Sequence, residues 1–269
     1  MSHHSKCSIL VLSSDNYQPI LKIWSFYFNK HWKECPYKTY TVSNQNPIDL
    51  PNIKCFNTGV PISEGAEHFK GMMLHALHRI DTPYVLCMVE DQILVKDVIT
   101  ENFDTVINYM SKHDITKVRC LSMPEGDHEL DVQEGIMNNK NFGIIDNNNP
   151  YRNSLQAAIW NRERLIELLQ TFEYDFSGWS FEVEDSFREY SKKWTYIACN
   201  QGKGGNLLER YPGMSDSPLM QYVELVRWGL FDRIYIDFFR KMLKEDGLSI
   251  DTEEYTRFGA GKKKEELPL

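Results

Sequence analysis

The sequence predicts an α/β fold with a mostly parallel mixed sheet covered by helices on both faces. Short apolar runs stop abruptly at polar turns, as at residues 8–13 and 84–89, which is how strands buried on both faces read. Between such runs, apolar residues recur at spacings of three and four, the signature of a helix with one buried face. The two patterns alternate along the first two-thirds of the chain, and alternation of this kind builds a sheet whose crossovers are helical.

The elements follow in order. Ser8-Ile9-Leu10-Val11-Leu12-Ser13 is a strand ended by Ser14-Asp15-Asn16. Ile20, Ile23, Trp24, Tyr27 and Phe28 mark a helix over 19–32, with Pro19 suited to its first turn. A strand at 38–42 follows the Cys35-Pro36 turn. Phe69, Met72, Met73, Ala76, Leu77 and Ile80 predict a helix over 66–80, broken by Asp81-Thr82-Pro83 because proline disfavours helix in the residue before it. A strand at 84–89, a helix at 97–110 and a strand at 117–123 continue the series. After an Asn-rich stretch at 137–149 comes a strand at 155–160, and Asn161 caps a helix reaching about residue 171. The last third is less regular: a Trp/Glu-rich segment at 179–188, a Gly-rich loop at 201–206, a strand at 222–226 and a helix at 233–245.

Composition bounds the function. The chain of 269 residues sits between one and two domains by length and reads as one compact domain. Its 30 Lys+Arg against 38 Asp+Glu give a net charge of −8, which argues against nucleic acid as a partner. No apolar stretch approaches a membrane span, since the best run, 84–89, is six residues long. Residues 1–6 carry no apolar core of a secretory signal. The six cysteines form no C-x-x-C pair and several lie in apolar runs, so reduced thiols in a cytoplasmic protein are expected and zinc is not.

Ligands of open α/β sheets bind outside the carboxyl ends of the strands. Two such ends carry chemistry. Ser13, Ser14, Asp15 and Tyr17 supply hydroxyls, a carboxylate and a ring, while Glu90, Asp91 and Gln92 put two acids directly after an apolar strand. Oxygen ligands there suit Mg²⁺ or Mn²⁺ bridged to phosphates, and the same acids equally suit helix capping or a lysine partner. Neighbouring side chains on a strand face opposite ways, so one of the two acids should face the cleft. A third group is Trp179 with Glu182, Glu184 and Asp185; on a continuous helix Glu182 and Asp185 share a face. A carboxylate near tryptophan can act as a general base, and acids at a helix start also simply favour the dipole. Gly202-Lys203-Gly204-Gly205 lacks P-loop spacing, and no G-x-G-x-x-G or G-x-S-x-G is present.

Five segments occur in a characteristic order. They are Ile9-Leu10-Val11-Leu12-Ser13-Ser14-Asp15-Asn16-Tyr17, then Lys30-His31-Trp32-Lys33-Glu34-Cys35-Pro36-Tyr37, then 76–86 running into Glu90-Asp91. Ser154-Leu155-Gln156-Ala157-Ala158-Ile159-Trp160-Asn161 and Trp179-Ser180-Phe181-Glu182 complete the set. In these the chain resembles the GT-A-fold glycosyltransferases of bacterial surface-polysaccharide clusters and of some large viruses, over about residues 7–251. The resemblance implies a single Rossmann-like GT-A domain there, with a nucleotide-sugar-binding half at 7–125, an acceptor-facing half at 126–251 and a polar tail at 252–269.

It also implies an enzyme that moves a sugar from a nucleotide-diphosphate sugar to a hydroxyl of a glycan, lipid-linked or protein-linked acceptor, with peripheral membrane proximity if the acceptor is lipid-linked. By that resemblance Ser13, Asp15 and Tyr17 line the base pocket, with Ser14, Gln92 and Trp179 among the other donor contacts. Asp91, with Glu90, takes the place of a metal-binding D-x-D for Mn²⁺ or Mg²⁺. Gln156 and Trp160 face the transferred sugar, and Glu182 is the acceptor base, with Glu184 and Asp185 behind it. An arginine common among relatives before the second helix is missing, and Lys70 is its stand-in. The rival readings are a non-catalytic glycan- or protein-binding subunit of the same fold and a sugar-nucleotide nucleotidyltransferase.

Overall fold

A computed structural model describes residues 6–61, 68–120, 131–132, 142–199, 217, 219–227, 230–231 and 236–250. The Gly-rich loop at 201–206, the tail at 252–269 and parts of the expected elements at 66–67, 121–123, 137–141 and 233–235 lie outside them.

A nine-stranded sheet organises the chain. In chain order its strands are β1 (Cys7–Leu12), β2 (Lys38–Ser43), β3 (Ile53–Asn57), β4 (Tyr84–Val89), β6 (Lys117–Arg119), β7 (Asp131–Val132), β8 (Phe142–Ile144), β9 (Ala158–Asn161) and β10 (Tyr196–Cys199). Their spatial order is β3-β2-β1-β4-β9-β6-β10-β8-β7. Only β8 and β9 run against the other seven, so the mostly parallel mixed sheet expected from the sequence is observed. Strands from the two expected halves interleave, with β9 seated between β4 and β6. A short β5 (Gln92–Leu94) leaves the main sheet and pairs antiparallel with β11 (Tyr222–Glu224), and β12 (Val226–Arg227) pairs with β13 (Leu230–Phe231).

Alternate residues of each central strand feed two cores. On one face Ile9, Val11, Leu86 and Ile159 pack under α1 (Gln18–His31), α3 (Thr100–His113) and α7 (Ile236–Glu245). On the other, Leu10, Val85, Cys87 and Trp160 pack under α2 (Phe69–Leu77), α4 (Arg162–Leu169), α5 (Gly178–Val183) and α6 (Asp185–Ser191). Helices on both faces explain why the strands are apolar throughout instead of alternating. No helix among the described residues is long and apolar enough to cross a membrane.

Three expectations are corrected. The segment at 179–188 is not one helix: Glu184 is extended at φ −68° and ψ 132°, so α5 ends and α6 begins there, and Glu182 and Asp185 do not share a helix face. The strand expected at 155–160 begins at Ala158. Several short strands that the sequence does not mark are present, among them β3, β8 and β10; each of these is five residues or fewer, too short for a clear period.

Candidate active site

Parallel strands bring their carboxyl ends to one edge of the sheet, and some of the candidate residues, those of the Ser13–Tyr17 and Glu90–Gln92 turns, meet there. Leu12 and Val89 are register partners at the ends of β1 and β4, and the Glu90 N–H donates to the Leu12 carbonyl at 3.2 Å. This sets the Ser13–Tyr17 turn beside the Glu90-Asp91 turn. The Tyr17 hydroxyl is held above its usual range by burial first, then by the charges of Glu90 and Asp91. Because β9 runs the other way, its amino end, with Ser154, Leu155 and Gln156 before it, reaches the same edge; the Cys120 N–H donates to the Ala157 carbonyl at 2.7 Å.

At the acidic turn, Glu90 is buried and Asp91 half-buried. Burial, with Asp91 alongside, pushes the Glu90 carboxyl well above the ordinary carboxylate range. Gln92 is buried and its Oε1 accepts from the Val89 N–H at 3.1 Å, which closes the turn. The Asp91 carbonyl accepts from Ile93 at 3.1 Å and from Leu225 at 3.1 Å, tying the turn to the β11 side of the molecule. Burial and the nearby Glu224, with Asp91 a lesser cause, raise Tyr222 well above its usual value, so its ring borders the same place. Among the described residues no group of three or more His, Cys, Asp or Glu could hold a metal.

The Asp15 carboxylate is engaged with the loop after β2. Its Oδ1 accepts from the Asn44 N–H at 2.8 Å and its Oδ2 from the backbone N–H groups of Gln45 and Asn46 at 3.0 and 2.8 Å, while the Asn46 side chain adds a bond at 2.9 Å. Ser13 is buried and Ser14 half-buried, with the Ser14 carbonyl accepting from the Tyr17 N–H at 2.9 Å. Lys70 donates to the carbonyls of Phe172, Glu173 and Tyr174, which places its ammonium on the loop before α5. Trp160 is 1% exposed, with Phe181 and Tyr196 against its ring at 6.3 and 5.4 Å between centroids. Trp179, by contrast, is 56% exposed on α5. Gln156 Oε1 is buried without a hydrogen bond among the described residues.

Glu182 occupies the boundary between core and edge. Its Oε1 accepts from the Ser154 hydroxyl at 3.1 Å and, closely, from the Leu155 N–H; Oε2 makes no hydrogen bond among the described residues. Burial raises its carboxyl above the ordinary range, against the pull of those two donors and of Lys117 and Arg119. Glu184 is the extended junction between α5 and α6, and Asp185 pairs with Arg188 at 2.6 Å on the exposed side of α6.

The sequence alone does not mark Lys117 and Arg119, which lie behind this edge. Both are 0% exposed, and as alternate residues of β6 they face the same side of the sheet. Their neighbours across the sheet explain the fit. Lys117 lies between Trp160 and Tyr196, while Arg119 lies between Ala158 and Ala198, whose small side chains leave room for its long one. The Arg119 charge is felt at both Glu182 and Tyr222, and so links the Glu182 region and the acidic-turn region. A charged pair in so short a strand carries no sequence signal for burial, because lysine and arginine ordinarily mark the surface.

No protein-family model matches the chain, and no curated protein matches it in sequence. Among solved structures it is similar to a crystal structure of residues 1–349 of S. aureus TarS, at 11% identity and a TM-score of 0.44, over 93% of this chain and 68% of that one. It is also similar to a cytidylyltransferase from Leptospira borgpetersenii serovar Hardjo-bovis (strain JB197), at 9% identity and a TM-score of 0.45, over 92% of this chain and 100% of that one. A longer S. aureus TarS structure aligns at 11% identity and a TM-score of 0.44, this chain spanning 41% of its length.

Proposed function

We propose that the chain is a glycosyltransferase that moves a sugar from a nucleotide-diphosphate sugar to a hydroxyl of a glycan, lipid-linked or protein-linked acceptor, with inversion at the anomeric carbon. The observation that carries this reading is Glu182: one oxygen is anchored by Ser154 and Leu155, the other makes no hydrogen bond among the described residues, and burial raises its proton affinity. That is what a general base for a hydroxyl requires. The sequence resemblance supplies the donor class, and the meeting of Ser13–Tyr17 with Glu90-Asp91 at the carboxyl edge supports it.

In the reaction the acceptor hydroxyl passes its proton to Glu182 Oε2 as its oxygen bonds to the anomeric carbon. The bond from that carbon to the diphosphate oxygen breaks, and the nucleoside diphosphate leaves with the electron pair. The Arg119 charge favours the ionised Glu182 that must accept the proton. Asp91 would hold Mn²⁺ or Mg²⁺, which when bound supplies positive charge to the leaving diphosphate.

The test is Glu182→Gln. Turnover should fall by about 10²–10⁴, the usual worth of a general base, while the donor nucleotide still raises the melting temperature. Full turnover in the variant removes Glu182 from the role. A panel of UDP, GDP, CMP and dTDP with their sugars, with and without Mn²⁺, identifies the donor by thermal shift, and Asp91→Asn should abolish the metal-dependent part. No shift with any nucleotide would favour a non-catalytic binding subunit.

A further inference from the structure

Lys117 is a fully buried amine that the proposed reaction does not itself use. Its Nζ donates to the carbonyl of Arg152 at 3.0 Å and to that of Ser154 at 2.8 Å, and it lies 4.4 Å from the centre of the Trp160 ring. The Ser154 carbonyl and the Leu155 N–H belong to one peptide unit. That unit accepts from Lys117 on one side and donates to Glu182 Oε1 on the other. A trans peptide is planar, with its C=O and N–H pointing in opposite directions, so the amine and the carboxylate sit at opposite ends of one dipole. A donor at the carbonyl end polarises the peptide and strengthens the bond from its N–H, the cooperative effect of a hydrogen-bond chain in a low-dielectric interior.

We infer that Lys117 is a positioning residue for Glu182, fixing the orientation and the ionisation of its carboxyl through the Ser154–Leu155 peptide. The inference rests on Glu182 being the acceptor base. The same lysine holds the Arg152 carbonyl, so residues 152–155 are pinned from inside the sheet and Ser154 meets Glu182 in one orientation. The charged groups facing Glu182 are Lys117 and Arg119, both from β6. Those facing Lys117 are Arg119, Arg152, Glu182 and the Cys87 thiol. Of these, Lys117 alone shares a peptide with the carboxylate. Burial and the two guanidinium groups push Lys117 toward its neutral form, and Glu182 opposes them, so each group's proton affects the other's.

The test reads Glu182 directly. The carboxyl carbons of glutamate-labelled protein are titrated by NMR, and the Glu182 signal is assigned by its loss in Glu182→Gln. In Lys117→Met the Glu182 carboxyl should bind its proton about tenfold more tightly, because the polarising donor is gone. The acid limb of kcat/KM should move up by the same factor. An unchanged Glu182 titration in a folded Lys117→Met overturns the inference. If Lys117→Met fails to fold, Lys117→Gln is titrated instead; its amide polarises the peptide less than the amine does, so a smaller rise in the same direction is expected and an unchanged Glu182 titration there also overturns the inference. In the wild type the Leu155 amide proton should report two titration steps between about pH 4 and 11, one from each group; a single step also overturns it. If the carboxyl titration shifts and the rate profile does not, the coupling stands and Glu182 is not the base.

Discussion

At the scale of single residues, two carboxylates that look alike in the sequence have different work. Asp15 is consumed by three backbone N–H groups and one side-chain amide of the Asn44–Asn46 loop, so it organises the end of β2. Asp15→Ala should cost about 2 kcal/mol in urea unfolding, the worth of charged hydrogen bonds left without their acceptor. Glu182 has one anchored oxygen and a raised proton affinity. A group whose folded value lies above its unfolded one contributes stability that is full below the unfolded value and lost as pH rises through the folded value. Glu182→Gln cannot ionise. Its melting temperature should therefore gain on the wild type as pH climbs from about 4, the reverse of its effect on turnover. A constant difference across pH would show that Glu182 ionises alike in both states.

At the scale of elements, Glu182, the proposed base, stands on a helix of only six residues. A helix so short is not stable by propensity, and α5 survives through its cap and its packing. The Ser177 hydroxyl accepts from the Ser180 N–H at 3.1 Å, Phe181 is fully buried, and a side chain at Gly178 would meet Leu155 Cδ1 at 3.3 Å. Ser177→Ala should cost about 1 kcal/mol in urea unfolding and, on the proposed role of Glu182, should lower kcat more than it raises the donor KM, since the cap steadies the helix that carries Glu182. The break after Val183 has a local cause: once Glu184 turns extended, Asp185 opens α6 with its charge at the favourable end. Periodicity does not reveal that break, because a run of acids and aromatics suits one helix or two.

At the scale of the whole molecule, one sheet divides two cores, and the candidate site lies along its carboxyl edge. The antiparallel β9 lets residues 154–156 face an edge otherwise built from β1, β4 and β6. Two of the basic side chains behind that edge, Lys117 and Arg152, are secured by backbone carbonyls. Arg152 donates to Ile145 and Asp146 on one side and to Ser191 and Trp194 on the other, joining the segment before β9 to the end of α6. At the far side α7 docks on α1, where Asp246 just beyond it accepts from the Tyr27 hydroxyl at 2.8 Å and pairs with Lys30 at 2.6 Å.

The sequence by itself determined the α/β class, the alternation of the first two-thirds, and both strand-end clusters, Ser13–Tyr17 and Glu90-Asp91. These are local properties: an apolar run of six residues ended by polar side chains reads as a buried strand wherever it occurs. Only the tertiary structure decided which of the marked side chains face the edge. Trp160 stands in a segment that suggests a sugar contact, yet β9 directs its ring into the core, because strand pairing sets the face a residue points to. Lys117 and Arg119 acquired a place beside Glu182 only through register with Trp160, Tyr196, Ala158 and Ala198. Such pairings join residues some 40 to 80 positions apart, and no local pattern in the chain records them.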